Sequence, residues 1–212
     1  MHPLVRLPVC ALAVIAALAH AQAAPITLRV LAQESIPPKW IVGRGKLTGL
    51  CPDILAAIEK VEPGLRFARE LETRSLPFLK QGLASGAIDG ARALLESERR
   101  RQIAVIAGPP LYTVKHRLAA RRDDRTTVSS MAELVRLKPL INTQRSAAYA
   151  AQLRTLGLQV DDSNWVVKEE PIYFHVSRKT PLGARQLLDR ALFTLKNNGE
   201  LARIHASWAR AR

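Results

Sequence analysis

The sequence is poor in aromatic residues and has far fewer acidic than basic side chains. Aromatics make up 5% of its 212 residues, and 18 aspartates and glutamates stand against 32 lysines and arginines. Proteins that bind single-stranded nucleic acid stack bases on aromatic side chains, whereas the arginines here are scattered. We therefore expect no nucleic-acid partner. The net charge of +14 favours anionic ligands or surfaces, or it reflects only a solvated basic surface.

The sequence also lacks long apolar runs and paired cysteines. The segment from Val9 to Leu18 follows Arg6 and precedes small residues, but it is too short to span a bilayer. This order predicts a secretory signal peptide over residues 1–23, cleaved after Ala21-Gln22-Ala23. Cys10 would leave with the signal and Cys51 would remain alone, so no intramolecular disulfide is expected. These features indicate an exported protein.

Motifs for metal binding, phosphate binding and covalent catalysis are absent. His116, His175 and His205 are dispersed and have no cysteine or acidic neighbours at the spacing of metal ligands. The sequence contains neither a phosphate-binding loop nor a nucleophile elbow. We expect no cofactor and no metal.

Predicted strands and helices alternate in the first half of the chain. Apolar periodicity predicts strands over Ile26–Leu31, Leu65–Leu71 and Ala87–Leu95. Helices are predicted from Pro52 and, with Ser75 as N-cap, through Leu83. This order is typical of an α/β fold in which helices cover a parallel sheet.

The stretch from Leu83 to Tyr112 organises this half of the chain. Gly86 is predicted to end a helix in the left-handed conformation. After the apolar strand, Ser97 is expected to begin a helix that carries Arg99, Arg100 and Arg101. A strand end that meets a helix start and arginines is suited to hold an anion.

The second half is predicted to cross to another lobe and return. The predicted segments are an extended crossing over Lys115–Arg122, a helix from Ser130 to Leu137, a strand over Leu140–Thr143, a helix from Ser146 to Leu156, a strand over Ile172–Val176, a long helix from Pro181, and a last amphipathic helix between Gly199 and Trp208.

Four passages, in this order, resemble the periplasmic solute-binding proteins of bacterial ABC importers, of the polar-amino-acid type. They are Gly45–Gly49 with Pro52–Ile54, Leu83–Asp89, Ser97–Tyr112, and Tyr173–Leu182 with Gly199–Trp208. The resemblance spans nearly the whole mature chain. It implies a periplasmic location and a two-lobed, periplasmic binding protein-like α/β fold with the ligand in the cleft.

The resemblance also implies the domain organisation. The first part of lobe 1 would cover residues 24–113, lobe 2 residues 114–167, and a return strand with C-terminal helices packing on lobe 1 residues 168–212. About 60 residues lie between Tyr112 and Tyr173, fewer than the roughly 100 of a small domain. We therefore expect a truncated second lobe, whose ligand site is altered or lost.

On the first lobe, the resemblance implies a carboxylate-binding arginine. Arg100 takes this place if Ser97 stands for the family's threonine, because a guanidinium fork matches two carboxylate oxygens. A shift of one residue would choose Arg101 with Glu98 instead. Trp40, on the loop after the first strand, would either cover the ligand or cap the core beneath that loop.

On the second lobe, the resemblance points to the start of the helix at Ser146. Ser146 and the free amides of that helix start, helped by Arg145, would hold an anionic group. Tyr149 would contact the ligand from the first turn or pack its helix.

Three functions follow from these expectations. The first is a monomeric binding protein that captures an amino acid or related small carboxylate for ABC-type import through an inner-membrane permease. The second is an exported dehydratase-like enzyme acting on cyclic carboxylates, for which Glu34, Glu169 and Glu170 are the candidate acids. The third is a degenerate binding or sensory interaction module.

Overall fold

The structure, a computed structural model, describes residues 24–34, 38–43, 45–68, 73–117, 128–138 and 166–210. The strands are β1 (Ile26–Gln33), β2 (Ile41–Gly43), β3 (Lys46–Thr48), β4 (Leu65–Ala68), β5 (Thr73–Arg74), β6 (Gly90–Leu95), β7 (Ala104–Arg117) and β8 (Val166–Ser177). The helices are α1 (Leu50–Val61), α2 (Leu76–Ser85), α3 (Glu98–Ile103), α4 (Met131–Leu137), α5 (Leu182–Asn197) and α6 (Glu200–Arg210).

The main sheet has the order β4-β1-β6-β8-β7, and β5 also pairs with β1. Strands β4, β5 and β6 are parallel to β1, as the alternation of strands and helices predicted. Strand β8 is antiparallel to both β6 and β7. The pair formed by β7 and β8 is long, extending from Ala104 opposite Ser177 to Arg117 opposite Val166. A small hairpin of β2 and β3 lies outside this sheet.

Helices cover both faces of the sheet. On one face, α1, α5 and α6 pack against β1, β4 and β8; on the other, α2 packs against β1 and β6. The buried side chains of the first face include Leu28, Ile54, Ile58, Phe174, Leu188 and Leu192, and those of the second include Leu31, Leu79, Leu83, Ile88 and Leu94. Since β6 is covered on both sides, its sequence is almost entirely small or apolar.

Side-chain hydrogen bonds hold the C-terminal helices on α1. The indole N–H of Trp208 donates to the carboxylate of Asp53 at 2.7 Å. Arg190 of α5 donates two hydrogen bonds to one carboxylate oxygen of Glu62, at 2.6 and 3.0 Å. The carboxylate of Asp53 therefore lies in the first turn of α1 and also joins that helix to the end of the chain.

Helix α1 begins at Leu50, two residues earlier than predicted, because the loop before β2 satisfies its first amides. Leu50 N–H donates to Pro38 O at 2.9 Å, and Cys51 N–H donates to Lys39 O at 3.1 Å. Gly49 precedes the helix with φ 124°, and a Cβ there would lie 2.5 Å from Pro38 O. A side chain at this position would therefore push the loop and Trp40 out of place.

Strand β6 begins at Gly90 rather than at Ala87. Asp89 is used for other contacts: its carboxylate accepts from the backbone N–H of Arg29 at 2.9 Å and from the Thr180 hydroxyl at 3.2 Å. Gly86 ends α2 in the left-handed conformation, as predicted, with φ 78°. Ile103 ends α3, and β7 starts at Ala104.

Little of the predicted second lobe lies within the described residues. Ser130 is the N-cap of α4, as predicted, and its hydroxyl accepts from the Glu133 N–H at 3.2 Å. The predicted strand over residues 140–143 and helix over 146–156 lie outside the described residues. Residues 118–165, about 50 in number, separate β7 from β8, which is at the lower limit of domain size and consistent with a truncated lobe.

Within the described ranges, no helix is both long enough and apolar enough to cross a membrane.

Gly108 gives a test of the packing between β7 and α5. It has φ 65°, and a Cβ there would lie 2.5 Å from Cβ of Leu192. We expect Gly108→Ala to lower the free energy of unfolding by about 1–3 kcal/mol, through backbone strain and overpacking. Gly183→Ala is the matched control, because nothing lies within 4 Å of its Cβ position in α5. Equal losses of thermal stability in both variants would contradict this account.

His175 gives a pH-dependent test of the core. It is buried in β8, and burial together with nearby Arg100 lowers its pKa to about 4. Since the unfolded state then binds more protons between about pH 6.5 and 4, the free energy of unfolding should fall by up to about 3 kcal/mol across that window as pH decreases.

Denaturant unfolding of His175→Gln and of the native chain at about pH 7 and about pH 4.5 measures this contribution. We expect the variant to lose less stability on acidification than the native chain. His205→Gln, at an exposed position of α6, should follow the native profile. A His175→Gln profile parallel to the native one would refute the prediction.

Candidate ligand-binding site

The carboxyl ends of β1, β4 and β6 lie at the same edge of the sheet because these strands are parallel. In open α/β sheets, ligands bind beyond this edge. Here β6 leads directly to α3, and the long strands β7 and β8 pass beside it. The candidate site is therefore the end of β6 with the side chains that surround it.

A β-bulge alters the course of β6 just before this end. Ala91 pairs with His175 and Leu94 pairs with Tyr173, so Arg92 and Ala93 together lie opposite the single residue Phe174. Ala93 has φ 59°, an uncommon value for a residue with a side chain. A bulge breaks the alternation of side chains along a strand. This bulge lies in a strand that is covered on both faces, and Arg92 is only 1% exposed.

The guanidinium of Arg92 lies among aromatic rings. Its central carbon is 4.8 Å from the ring centroid of Trp40 and 5.9 Å from that of Phe174. Its Nη1 donates a hydrogen bond to the carbonyl of Cys51. Burial lowers the pKa of Arg92 to about 10, so the side chain remains charged at neutral pH. A charged side chain thus forms part of the core at this edge of the sheet.

Two further cations hold carbonyl groups at the end of β6. The Lys39 ammonium donates to Ala93 O at 3.3 Å, and Nη1 of Arg100 donates to Leu95 O. Burial lowers the pKa of both side chains, and the carboxylate of Glu170 partly offsets this for Arg100. Lys39, from the loop before β2, and Arg100, from α3, therefore both bind carbonyls at the end of β6, the strand that carries Arg92.

The long strands add acidic and aromatic side chains next to these cations. Glu170 Oε2 lies 3.2 Å from His116 Nε2, and Glu169 forms an ion pair with Lys115 at 2.9 Å. The ring of Tyr112 stacks on His205 of α6, with 5.6 Å between centroids. Burial raises the pKa of the Tyr112 hydroxyl, so it stays protonated and can donate a hydrogen bond.

The three arginines of α3 have different environments. Arg99 is exposed, Arg101 forms an ion pair with Glu96 at 2.7 Å, and Arg100 is only 3% exposed. Ser97 is the N-cap of α3, as predicted, but its hydroxyl makes no capping hydrogen bond. Ser97 and Arg100 thus lie at the end of β6, and their ligand contacts remain predictions.

Trp40 is buried beneath the β2–β3 hairpin, and its ring packs on Arg92. It also lines a cavity of about 460 Å³ between that hairpin, α1 and β4, and Glu59 is among the other lining residues. Arg145, Ser146 and Tyr149, the residues predicted to bind from the second lobe, lie outside the described residues. The contact of Trp40 with a ligand remains a prediction.

Arg92 and Lys39 were not among the predicted site residues. The signal for Arg92 was present, because an arginine inside the small and apolar run Ala87–Leu95 contradicts a strand that is covered on both faces. Lys39 gave no comparable signal, since lysine is ordinary in a loop. Its position depends on the backbone contacts between the loop and α1.

The acids proposed for catalysis do not meet at one point. Glu34 is exposed, whereas Glu169 forms an ion pair with Lys115 of β7 and Glu170 contacts His116 of the same strand. Among the described residues, no group of three histidines, cysteines or acids is arranged to hold a metal ion.

Solved structures of binding proteins share this fold. A mutant of ArgBP from T. maritima aligns with TM-score 0.69 and 14% identity over 87% of this chain and 95% of that chain. An ancestral arginine-binding protein bound to arginine aligns with TM-score 0.66 and 19% identity, over 86% and 97%. The ancestral amino acid-binding protein AncCDT-1, a precursor of cyclohexadienyl dehydratase, aligns with TM-score 0.67 and 15% identity, over 86% and 94%.

At these identities the structural matches show the fold alone, and they confirm the predicted periplasmic binding protein-like class. None of the curated proteins compared with the chain matches it significantly. The sequence model of one family, however, matches residues 28–211, which is most of the chain. The chain belongs to the bacterial extracellular solute-binding proteins, family 3.

Proposed function

We propose that this protein captures an amino acid or a related small carboxylate in the periplasm and delivers it to an ABC-type permease. Family membership supports a solute-binding role outside the cytoplasm. The signal peptide predicted over residues 1–23 would direct the export. The ligand class and the permease are the specific parts of the proposal.

The observation that carries this proposal is the position of Arg100. Its guanidinium is buried at the carboxyl end of β6, and no described residue accepts a hydrogen bond from its Nε. A guanidinium with a free donor at this edge of an α/β sheet is suited to bind a carboxylate. Lys39 adds positive charge on the same side. A small carboxylate would supply the missing acceptor and part of the missing negative charge.

Delivery to a permease requires that the protein signal its occupancy. In two-lobed binding proteins, closure around the ligand provides this signal. We propose that the lobes move about the long strands β7 and β8, near Val114 and Lys168. Arg145, Ser146 and Tyr149 would close on the ligand from the second lobe. We propose binding without turnover, because Glu169 is engaged in an ion pair with Lys115 and Glu170 contacts His116.

Substitution of Arg100 tests the proposed role. We expect the thermal stability of the mature protein to rise with a small carboxylate or amino acid, by about 2.7 kcal/mol at 100 times Kd. Arg100→Gln should weaken binding by about 100-fold, since a charge-assisted, bidentate contact is lost. Calorimetric titration against a panel of amino acids and small carboxylates measures both effects.

Arg99→Gln is the control, because it removes an exposed arginine from the same helix. The free energy of unfolding of Arg100→Gln without ligand, compared with that of the native protein, shows whether weaker binding results from lower stability. If Arg101→Gln abolishes binding and Arg100→Gln does not, the alternative alignment with Glu98 is correct. Failure of the native protein to bind any member of the panel would overturn the proposed function.

A further inference from the structure

The charge of Arg92 is not balanced by a described acidic group. The groups that act on it electrostatically are Cys51 and Tyr112, and burial raises the pKa of both, so neither is anionic at neutral pH. Its Nη1 donates to a carbonyl, but Nε and Nη2 have no hydrogen-bond partner among the described residues. A buried charge with two free donors is costly unless an anion pairs with it.

Other donors without a partner lie in the same cluster. Within the described part of the chain, nothing accepts a hydrogen bond from the indole N–H of Trp40 or from the hydroxyl of Tyr112, and both are buried. Trp40, Tyr112 and Cys51 pack in one cluster, and Arg92 contacts both Trp40 and Cys51. Four donor positions on three side chains thus lack acceptors in one small region.

The face of Trp40 is already occupied. Aromatic faces attract cations, so an exposed tryptophan next to a ligand site would favour ligands with a guanidinium or an ammonium group. Here the chain's own guanidinium lies 4.8 Å from the ring centroid. A second cation at this point would be repelled by Arg92 and would find no free aromatic face on that side.

Arg92 and Arg100 are both anchored near the carboxyl end of β6. Arg92 lies three residues before Leu95, whose carbonyl accepts from Arg100, so the two anchoring points are separated by about 10 Å of strand. Guanidinium groups anchored on this stretch can bind the two carboxylates of a short dicarboxylate.

From these contacts we infer that Arg92, with Trp40 and Tyr112, binds a second anionic group of the ligand, so that the ligand is an acidic amino acid or a small dicarboxylate. This inference rests on the proposed function, in which Arg100 binds the first carboxylate. According to this inference, Arg92 in the bulge of β6 selects acidic ligands over neutral and cationic ones.

Pairs of ligands that differ only in this group test the inference on the native protein. We expect L-glutamate or L-aspartate, or a dicarboxylate such as succinate, to bind at least about tenfold more tightly than the corresponding amide, because the amide leaves Arg92 unpaired. L-Arginine and L-lysine should bind more weakly still. Calorimetric titration of the mature chain with each ligand gives the ratios.

Arg92→Met tests the assignment to this residue. The variant should lose about 100-fold in affinity for the acidic ligand and change by no more than about threefold for its amide. Methionine matches the length of the buried stem, and removing an unpaired buried charge should not unfold the protein. Arg66→Met, at an exposed position of β4 in the same sheet, is the matched control. Tyr112→Phe removes only a hydroxyl and should weaken acidic ligands selectively.

The outcomes separate the two proposals. Tight binding of a neutral or cationic amino acid without preference for acids overturns this inference and leaves the proposed function in place. An acid preference that persists in Arg92→Met also overturns it. Failure of every ligand to bind refutes the proposed function and this inference together. If Arg92→Met does not fold, the ratio of the affinities of the native protein for the acid and for its amide tests the inference by itself.

Discussion

The candidate site depends on the contact between the guanidinium of Arg92 and the indole of Trp40. The arginine lies in the bulge of β6, and the loop before α1 brings the tryptophan beneath the hairpin. The loop in turn requires the close approach that Gly49 permits. A short irregularity in one strand and a tight turn in one loop thus determine the chemistry at the edge of an otherwise regular sheet.

Most of the fold could be predicted from the sequence because its elements carry strong periodic signals. The parallel strands, the end of α2 at Gly86 and the cap of α4 at Ser130 follow from apolar patterns and from terminal residues with known preferences. The errors were at boundaries. Strand β6 starts later than predicted because Asp89 bonds across to β1 and to Thr180, and such long-range contacts leave no local pattern.

The site was predicted less completely, for a physical reason. Arg100 was identified because it lies in a sequence motif that resembles the family's. Lys39 and Arg92, in contrast, lie near the end of β6 because of a loop contact and a bulge. Neither the loop contact nor the bulge produces a periodic pattern of apolar residues in the sequence. The arginine within an apolar strand was the one local contradiction in the pattern, and such contradictions often mark functional positions.

The position of β8 between β6 and β7 has a consequence for how the chain folds. Strand β7 has no pairing with β6 of its own, so it joins the sheet only after β8 has been added from residues 166–177. The helices that complete the main core come later still. The first lobe therefore cannot finish folding until the last quarter of the chain is available, and contacts between such distant segments make folding slow. A chain that stays unfolded until its end has emerged remains competent for translocation as an extended polypeptide.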